Sequence, residues 1–286
     1  MKIGIDNYSY HRYFGEVYLG QKDPGSRWDL STFLDHMRER HADAEAFSLE
    51  TCFIKEEERK NLPHILKQID KEIMFAWGHP NGFMDIPVKD AIHEISDYIK
   101  ISAEMGQKRM RIAGSSIAYL NQPHEPQVEH VARCICGIIP VATHYDVKLG
   151  LENHGDFYLH EMLEILERVD SPYLGVTFDT GNSLRMQEDY LDAILAYGEK
   201  LLIVHAKDLS PEEGVPKNHT GYWNCVTAGK GVTDFSAVFK TLAKVRFDGM
   251  VLIEISRLHS AYAHLDEADI LEEGLRFLKN VREQVK

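Results

Sequence analysis

The sequence predicts a single (β/α)8 barrel, a TIM barrel of class α/β, with residues 1–286 forming one domain. Three observations lead there. Eight short apolar runs alternate with helical patterns along 286 residues, a length that barrels reach as one domain. The runs are mostly apolar throughout rather than alternating, as in strands buried on both faces of a parallel sheet. Acidic residues and histidines follow several of the runs directly, at the strand ends where barrels place their active sites. An open doubly wound sheet is the competing arrangement. No Gly-x-Gly-x-x-Gly follows the first run, and eight units match barrel closure.

The units are read in order as strand then helix. Residues 2–8 form the first strand, and a helix over 30–40 is opened by Asp29 as N-cap. Residues 44–50 are the second strand, followed by a helix over 56–71 that Pro63 breaks or kinks. The third strand, 72–77, closes at Gly78-His79-Pro80 and precedes a long amphipathic helix over 88–105. The fourth strand is 109–113, and its helix, 127–144, is expected to kink at Pro140. Strands at 148–152, 173–178 and 201–204 follow, the first two with helices at 159–169 and 190–197. A long loop, 209–233, precedes a helix over 235–245. The eighth strand, 250–253, and a closing helix over 267–281 complete the chain.

A formal charge of −13, with no run of Lys and Arg, argues against a nucleic-acid partner. No apolar stretch approaches membrane-spanning length, and the first residues read as a strand rather than a signal segment. Cys52, Cys134, Cys136 and Cys225 have the spacing of neither a disulfide framework nor a zinc knuckle. A reducing, cytoplasmic setting is the expectation.

Four strand ends carry the chemistry. Glu152, Asp179, His205 and Glu254 each follow an apolar run directly, on four successive strands, so they can converge at the barrel mouth. A charge at the end of a buried strand loses hydration, which a metal or partner must offset. Three carboxylates and one imidazole form a hard, oxygen-rich set suited to one divalent ion. Mn2+ or Mg2+ fits best, and Co2+ or Zn2+ is tolerated. Taken alone, each is as readily a solvated strand-end residue; the four together point to a metal.

Other candidates are each weighed against a plainer role. His154 shares strand parity with Glu152 and is an acid–base or sugar-binding group, or hydrogen-bonds a loop. His79 touches sugar or shapes a turn. Lys207 stabilises an oxyanion or pairs with a ligand carboxylate. Glu50 and Asn182 are expected behind the ligands, orienting them. Tyr8, Tyr222, Trp223 and Arg257 line a sugar pocket, with plain packing the alternative for the aromatics. The long loop, with His219 to Trp223, is expected to cover the mouth and set substrate size. The absence of a phosphate-binding Gly-rich turn after the seventh or eighth strand favours an unphosphorylated substrate.

On these residues the chain resembles the xylose-isomerase-like barrels. These include sugar isomerases, keto-sugar epimerases, hydroxypyruvate isomerases, inosose dehydratases and type IV endonucleases. The matching pieces are Leu151-Glu152-Asn153-His154-Gly155, Asp179-Thr180-Gly181-Asn182 and His205-Ala206-Lys207-Asp208. Gly229-Lys230-Gly231-Val232-Thr233-Asp234-Phe235 and Ile253-Glu254-Ile255-Ser256 complete the set. Each is weak alone, but their order and placement make the set specific. The resemblance implies that Glu152, Asp179, His205 and Glu254 bind one metal, and that Glu152 and Glu254 flank the substrate and exchange protons with it.

The expected function is therefore a metal-dependent isomerase or epimerase of keto-sugars. One rival is a lyase on 3-keto-glycosides, similar to the barrel subunits of C-glycoside deglycosidases, with His154 or His79 as base and a small β-sandwich partner subunit. The other is a non-catalytic sugar-binding barrel. Type IV endonucleases, with a trinuclear zinc cluster and more histidines, and xylose isomerase proper, longer and with two metals, match less well. A homo-oligomer acting on a small sugar or glycoside, away from nucleic acid and membrane, is expected.

Overall fold

In the computed structural model, which describes residues 1–67 and 69–285, eight parallel strands close into one barrel. In chain order the strands are β1 (Lys2–Ile5), β2 (Ala46–Glu50), β3 (Glu72–Trp77), β4 (Arg109–Ala113), β5 (Lys148–Glu152), β6 (Leu174–Asp179) and β7 (Leu201–Ala206). An antiparallel pair, β8 (Asp208–Pro211) and β9 (Trp223–Val226), comes before the last barrel strand, β10 (Met250–Ile253). Around the barrel the order is β1-β10-β7-β6-β5-β4-β3-β2, and β2 pairs back onto β1. Among the described residues no helix is long and apolar enough to cross a membrane.

Strand parity divides the core into two layers. Ala46, Met74, Ala76, Ile203, Met250 and Leu252, joined by Leu202 of the other parity, form a small buried cluster apart from the main one, whereas Phe75, Trp77, Val204, Val251 and Ile253 belong to the large cluster that includes the helices. Side chains alternate along a strand, so Ile203 and Leu252 point the way His205 and Glu254 do. The same parity aligns Gly150 with Glu152 and Thr177 with Asp179. In register, Asp179 stands beside His205, and His205 beside Leu252.

Four differences from the sequence reading have local causes. The first strand stops at Ile5 rather than residue 8, because the Asp6 carboxylate accepts the Tyr8 N–H at 2.8 Å and starts the 3-10 helix Asn7–Phe14. The expected helix over 56–71 is two short ones, Glu56–Arg59 and Leu62–Leu66, with Pro63 in the first turn of the second; Gln68, within the expected span, lies outside the described residues. The long loop is partly folded, as β8 and β9 occupy its two ends. Cys225 extends this pairing, donating its N–H to Arg257 O at 2.7 Å and accepting from His259 N at 2.8 Å. The helix His124–Tyr145 runs on through Pro140.

Candidate metal centre

Glu152 and Asp179 are the last residues of β5 and β6, His205 lies near the end of β7, and Glu254 follows β10. These four strands are consecutive around the barrel, so Glu152 and Glu254 stand at the two ends of an arc with Asp179 and His205 between them. One ligand atom from each lies within 4.8 Å of the others, and all four residues are buried. His205 Nδ1 faces the two glutamates, 2.7 Å from Glu254 Oε2 and 3.2 Å from Glu152 Oε1. Its Nε2 turns to Asp6 Oδ2 at 3.3 Å, and neither of these buried atoms has a hydrogen bond. A carboxylate behind a ligating histidine is the usual means of fixing such a ring.

Side-chain ties between adjacent strand ends hold the arc in place. Asn153 accepts the Asp179 N–H at 2.7 Å and donates to Asp179 O at 3.0 Å, joining β5 to β6. The Thr180 hydroxyl donates to Lys207 O at 2.9 Å, joining β6 to β7. Ser9 donates to Ile253 O at 3.2 Å and accepts from Ile255 N at 3.0 Å, flanking Glu254. Asp156 accepts the Ser115 N–H at 2.8 Å, and Asn7 accepts the Glu50 N–H at 2.8 Å.

Asp179 also caps the short helix Thr180–Arg185: its Oδ1 accepts from Gly181 N at 2.8 Å and Asn182 N at 2.9 Å, which aims Oδ2 at the cluster. Gly181 is required there, since a Cβ would lie 2.8 Å from Lys207 Cγ. Asp208 is a staple for the Gly-Lys-Gly turn, accepting from Gly229, Gly231 and Thr233 N–H groups at 2.8, 2.9 and 3.1 Å.

Two buried cations balance part of the acid. Arg111 grips Glu152 Oε2 through Nε and Nη2, and its Nη1 lies 3.4 Å from Glu50 Oε2. Lys207 Nζ bridges Asp179 Oδ2 at 2.5 Å and Glu254 Oε1 at 2.7 Å. Burial pushes the Glu152 carboxyl up, but Arg111, and then His205, hold it well below the usual carboxylate range. Glu254 is lowered in the same way against burial, by Lys207 and then His205. Burial raises Asp179 despite Lys207, and raises Glu50 well above its usual value despite Arg111. Burial opposes the His205 charge, yet Glu152 and Glu254 raise it well above an ordinary imidazole.

The donor set fits a divalent cation. Five buried acids (Asp6, Glu50, Glu152, Asp179 and Glu254) face two buried fixed cations, Arg111 and Lys207. Buried acids in excess of fixed cations are offset by protonation, as burial raises Asp6, Glu50 and Asp179 and the glutamates raise His205, or by a bound cation. Oxygen donors with a single imidazole suit Mn2+, Mg2+, Co2+ or Zn2+.

The remaining expected residues divide by position. Lys207 and Glu50 lie against the cluster as described. Asn182 contributes its backbone N–H to Asp179, while its side-chain Oδ1 accepts from Arg185 at 3.3 Å. His154 is half-buried, has a buried Nδ1 without a hydrogen-bond partner, and donates its backbone N–H to Asp156 Oδ1 at 3.0 Å. His79 also has a buried, unpartnered Nδ1, and its carbonyl accepts the Gly82 N–H in a turn. The Tyr8 hydroxyl bonds Glu16 Oε1 at 2.6 Å and meets Tyr18. Trp223 begins β9, and its carbonyl takes Arg185 Nη2 at 3.2 Å. Tyr222 packs edge-on against Trp223 at 5.0 Å, and Arg257 lines a cavity beside the loops. Asp6, Arg111, Asn153 and Asp156 were missed as site residues. Arg111 had a readable signal, a cation in the middle of a strand between Met110 and Ile112.

Residues 54–281 match the family model described as xylose isomerase-like TIM barrel, and the chain belongs to that family. A putative L-ribulose-5-phosphate 3-epimerase of Escherichia coli is 27% identical over 181 residues, 62% of this chain and 62% of the relative. The 3-oxo-isoapionate decarboxylase of Pectobacterium atrosepticum is 24% identical over 119 residues, 42% of this chain and 43% of the relative. The chain thus spans about half of the length of these curated relatives. Among solved structures, the IOLI protein with a bound zinc atom superposes with a TM-score of 0.74 at 15% identity, covering 100% of this chain and 99% of that one. At that identity the likeness establishes the fold.

Proposed function

We propose that this barrel is a divalent-metal-dependent isomerase or epimerase that moves a proton next to the carbonyl of a keto-sugar. The observation that carries this is the convergence of Glu152, Asp179, His205 and Glu254 from four consecutive strands, with ligand atoms within 4.8 Å of one another. These four residues would hold the cation, with Mn2+ the preferred ion. A divalent ion supplies Lewis acidity, which makes a C–H next to a bound carbonyl more acidic.

The protein supplies the rest. Glu152 and Glu254, at opposite ends of the arc, are placed to take a proton from one side of a substrate and return it from the other. Arg111 and Lys207 keep these carboxylates ionised in a buried site, the form a proton acceptor requires. Asn153, Thr180 and Ser9 hold the strand ends so that the carboxylates keep their spacing. The relative named as a 3-epimerase favours inversion at one carbon. The test is turnover of free ketohexoses in D2O with Mn2+ present. Deuterium incorporated at the carbon beside the carbonyl supports the proposal; loss of that exchange in Glu152→Gln and Glu254→Gln with Mn2+ still bound assigns the acceptors.

A second reading is a lyase on 3-keto-glycosides, with His154 as base. It is supported by the unpartnered Nδ1 of His154, by Asp156 beside it, and by the relative named as a decarboxylase. Cleavage of a 3-keto-glycoside without turnover of free ketoses, together with co-purification of a small β-sandwich chain, would favour it. The proposed setting is the cytoplasm, and the proposed assembly is a homo-oligomer. A non-catalytic sugar-binding barrel ranks last, because both proton-transfer carboxylates are in place.

A further inference from the structure

A cavity of about 430 Å3 opens among the loops that leave β1, β7 and β10. Lys22 and Arg257 line it, together with Gln21, Glu212, His219 and others. Among the described residues, neither the Lys22 ammonium nor the Arg257 guanidinium has a hydrogen-bond or ion-pair partner. Both residues are exposed, so the two charges are hydrated and uncommitted, in a chain with 45 acids against 32 bases.

The one acid in the lining does not neutralise them. Glu212 Oε2 is engaged by Asn224 Nδ2 at 2.8 Å and Ser260 N at 3.2 Å, with His259 Nε2 at 3.8 Å. Arg12, also in the lining, directs its fork to Glu267 and its Nη1 to Lys22 O. It therefore fixes the backbone that carries Lys22 while its own charge is already paired.

Two glycines leave the Arg257 guanidinium open. A Cβ on Gly20 would lie 3.4 Å from its Nη2, and a Cβ on Gly221 would lie 3.9 Å from its Nη1. The guanidinium thus spans the space between the loop after β1 and the loop after β7, with no side chain over it from either glycine. A planar fork with free N–H groups is suited to a phosphate or carboxylate. The cavity also adjoins the segment leaving the metal centre, since Gln21 donates to Ser256 O at 3.4 Å, two residues beyond Glu254.

We propose that this cavity is an anion subsite: it receives the phosphate or carboxylate tail of a keto-sugar whose carbonyl end lies at the four-ligand cluster. The proposal rests on the function proposed above and narrows its substrate to an anionic one. The sequence lacks a Gly-rich phosphate turn, and the two uncommitted cations provide the recognition that such a turn would give.

The test is isothermal titration of the purified full-length chain at low ionic strength, where surface charge is least screened. Inorganic phosphate and glycolate are the probes, which separates a phosphate tail from a carboxylate one. One of the two is expected to bind, and to bind about tenfold or more weakly in Arg257→Met and in Lys22→Met, each losing a charge-assisted contact. Binding should persist in Glu152→Gln, because Glu152 does not line the cavity. Circular dichroism establishes that each variant is folded, and Lys22→Met serves if Arg257→Met is not. No binding of either anion, or binding indifferent to both cation substitutions, overturns the subsite. So does binding that vanishes in Glu152→Gln, because the anion is then at the cluster. Turnover of free ketohexoses with no anion binding removes the subsite and leaves the metal-centre function standing. Binding that depends on Arg257, without turnover of any sugar, supports the subsite and counts against the proposed reaction.

Discussion

Arg111 decides how the two glutamates differ. Both its Nε and its Nη2 reach the same oxygen, Glu152 Oε2, which leaves Oε1 to the cluster. Removing one partner of a buried ion pair leaves an uncompensated charge, so Arg111→Met is expected to destabilise the fold by about 3–5 kcal/mol in urea unfolding. Lys207 differs because both of its partners, Asp179 and Glu254, are also candidate ligands. Lys207→Met should likewise lose stability without metal, but Mn2+ should raise its melting temperature by more than it raises that of the wild type, since the ion replaces the missing charge. Thermal melts of both proteins with and without Mn2+ test this; an equal shift in the two would contradict it. At this scale the buried four-residue cluster was legible in the sequence, because an acid or imidazole directly after an apolar run is costly unless it is used. Arg111 and Asp6 were not singled out, since their partners come from strands far away in sequence.

At the scale of elements, the ties between strand ends matter most. Gly181→Ala would press a methyl onto the stem of Lys207 and should cost about 1–3 kcal/mol, as overpacking does, with reduced turnover because Asp179 and Lys207 shift together. A second tie lies on the outside. His41 ends the helix Leu30–Arg40, and its Nε2 meets the Tyr10 hydroxyl at 2.5 Å within a cluster of rings. Burial, followed by His36 and Arg40, lowers the His41 pKa from 6.5 to about 4.

The unfolded chain therefore takes up this proton before the folded one does. The associated stability is complete above about pH 6.5, declines as pH falls, and is gone below about 4. The loss is on the order of 3 kcal/mol. His41→Leu should flatten that part of the pH–stability curve; an unchanged slope between pH 6.5 and 4 would contradict the assignment. Strand and helix positions were read well where patterns are long and regular, as at β3, β4, β5 and β10. The misses have a common cause. The turn at Asp6, the short helix after Asp179 and the β8–β9 pair all depend on one side-chain cap or on a distant partner, neither of which leaves a periodic signature.

For the molecule as a whole, the barrel brings residues separated by about a hundred positions to one point and supplies the rigid frame that a metal site requires. Parity does much of this. Gly150, Thr177, Ile203 and Leu252 set the direction in which Glu152, Asp179, His205 and Glu254 must point two residues later. The order of strands and the convergence of the four strand-end residues could be read from the chain because a parallel barrel fixes both. The folding of the long loop into the β8–β9 pair could not, because it depends on contacts with no periodic pattern in the sequence.

Metal analysis tests the account most directly: elemental assay of the purified protein and titration of the metal-free form with Mn2+, for the wild type and for Glu152→Gln, Asp179→Asn and Glu254→Gln. One equivalent bound per chain, weakened by each substitution, is the expected result. A chain that binds no divalent ion, or whose binding is untouched by all three substitutions, would contradict it.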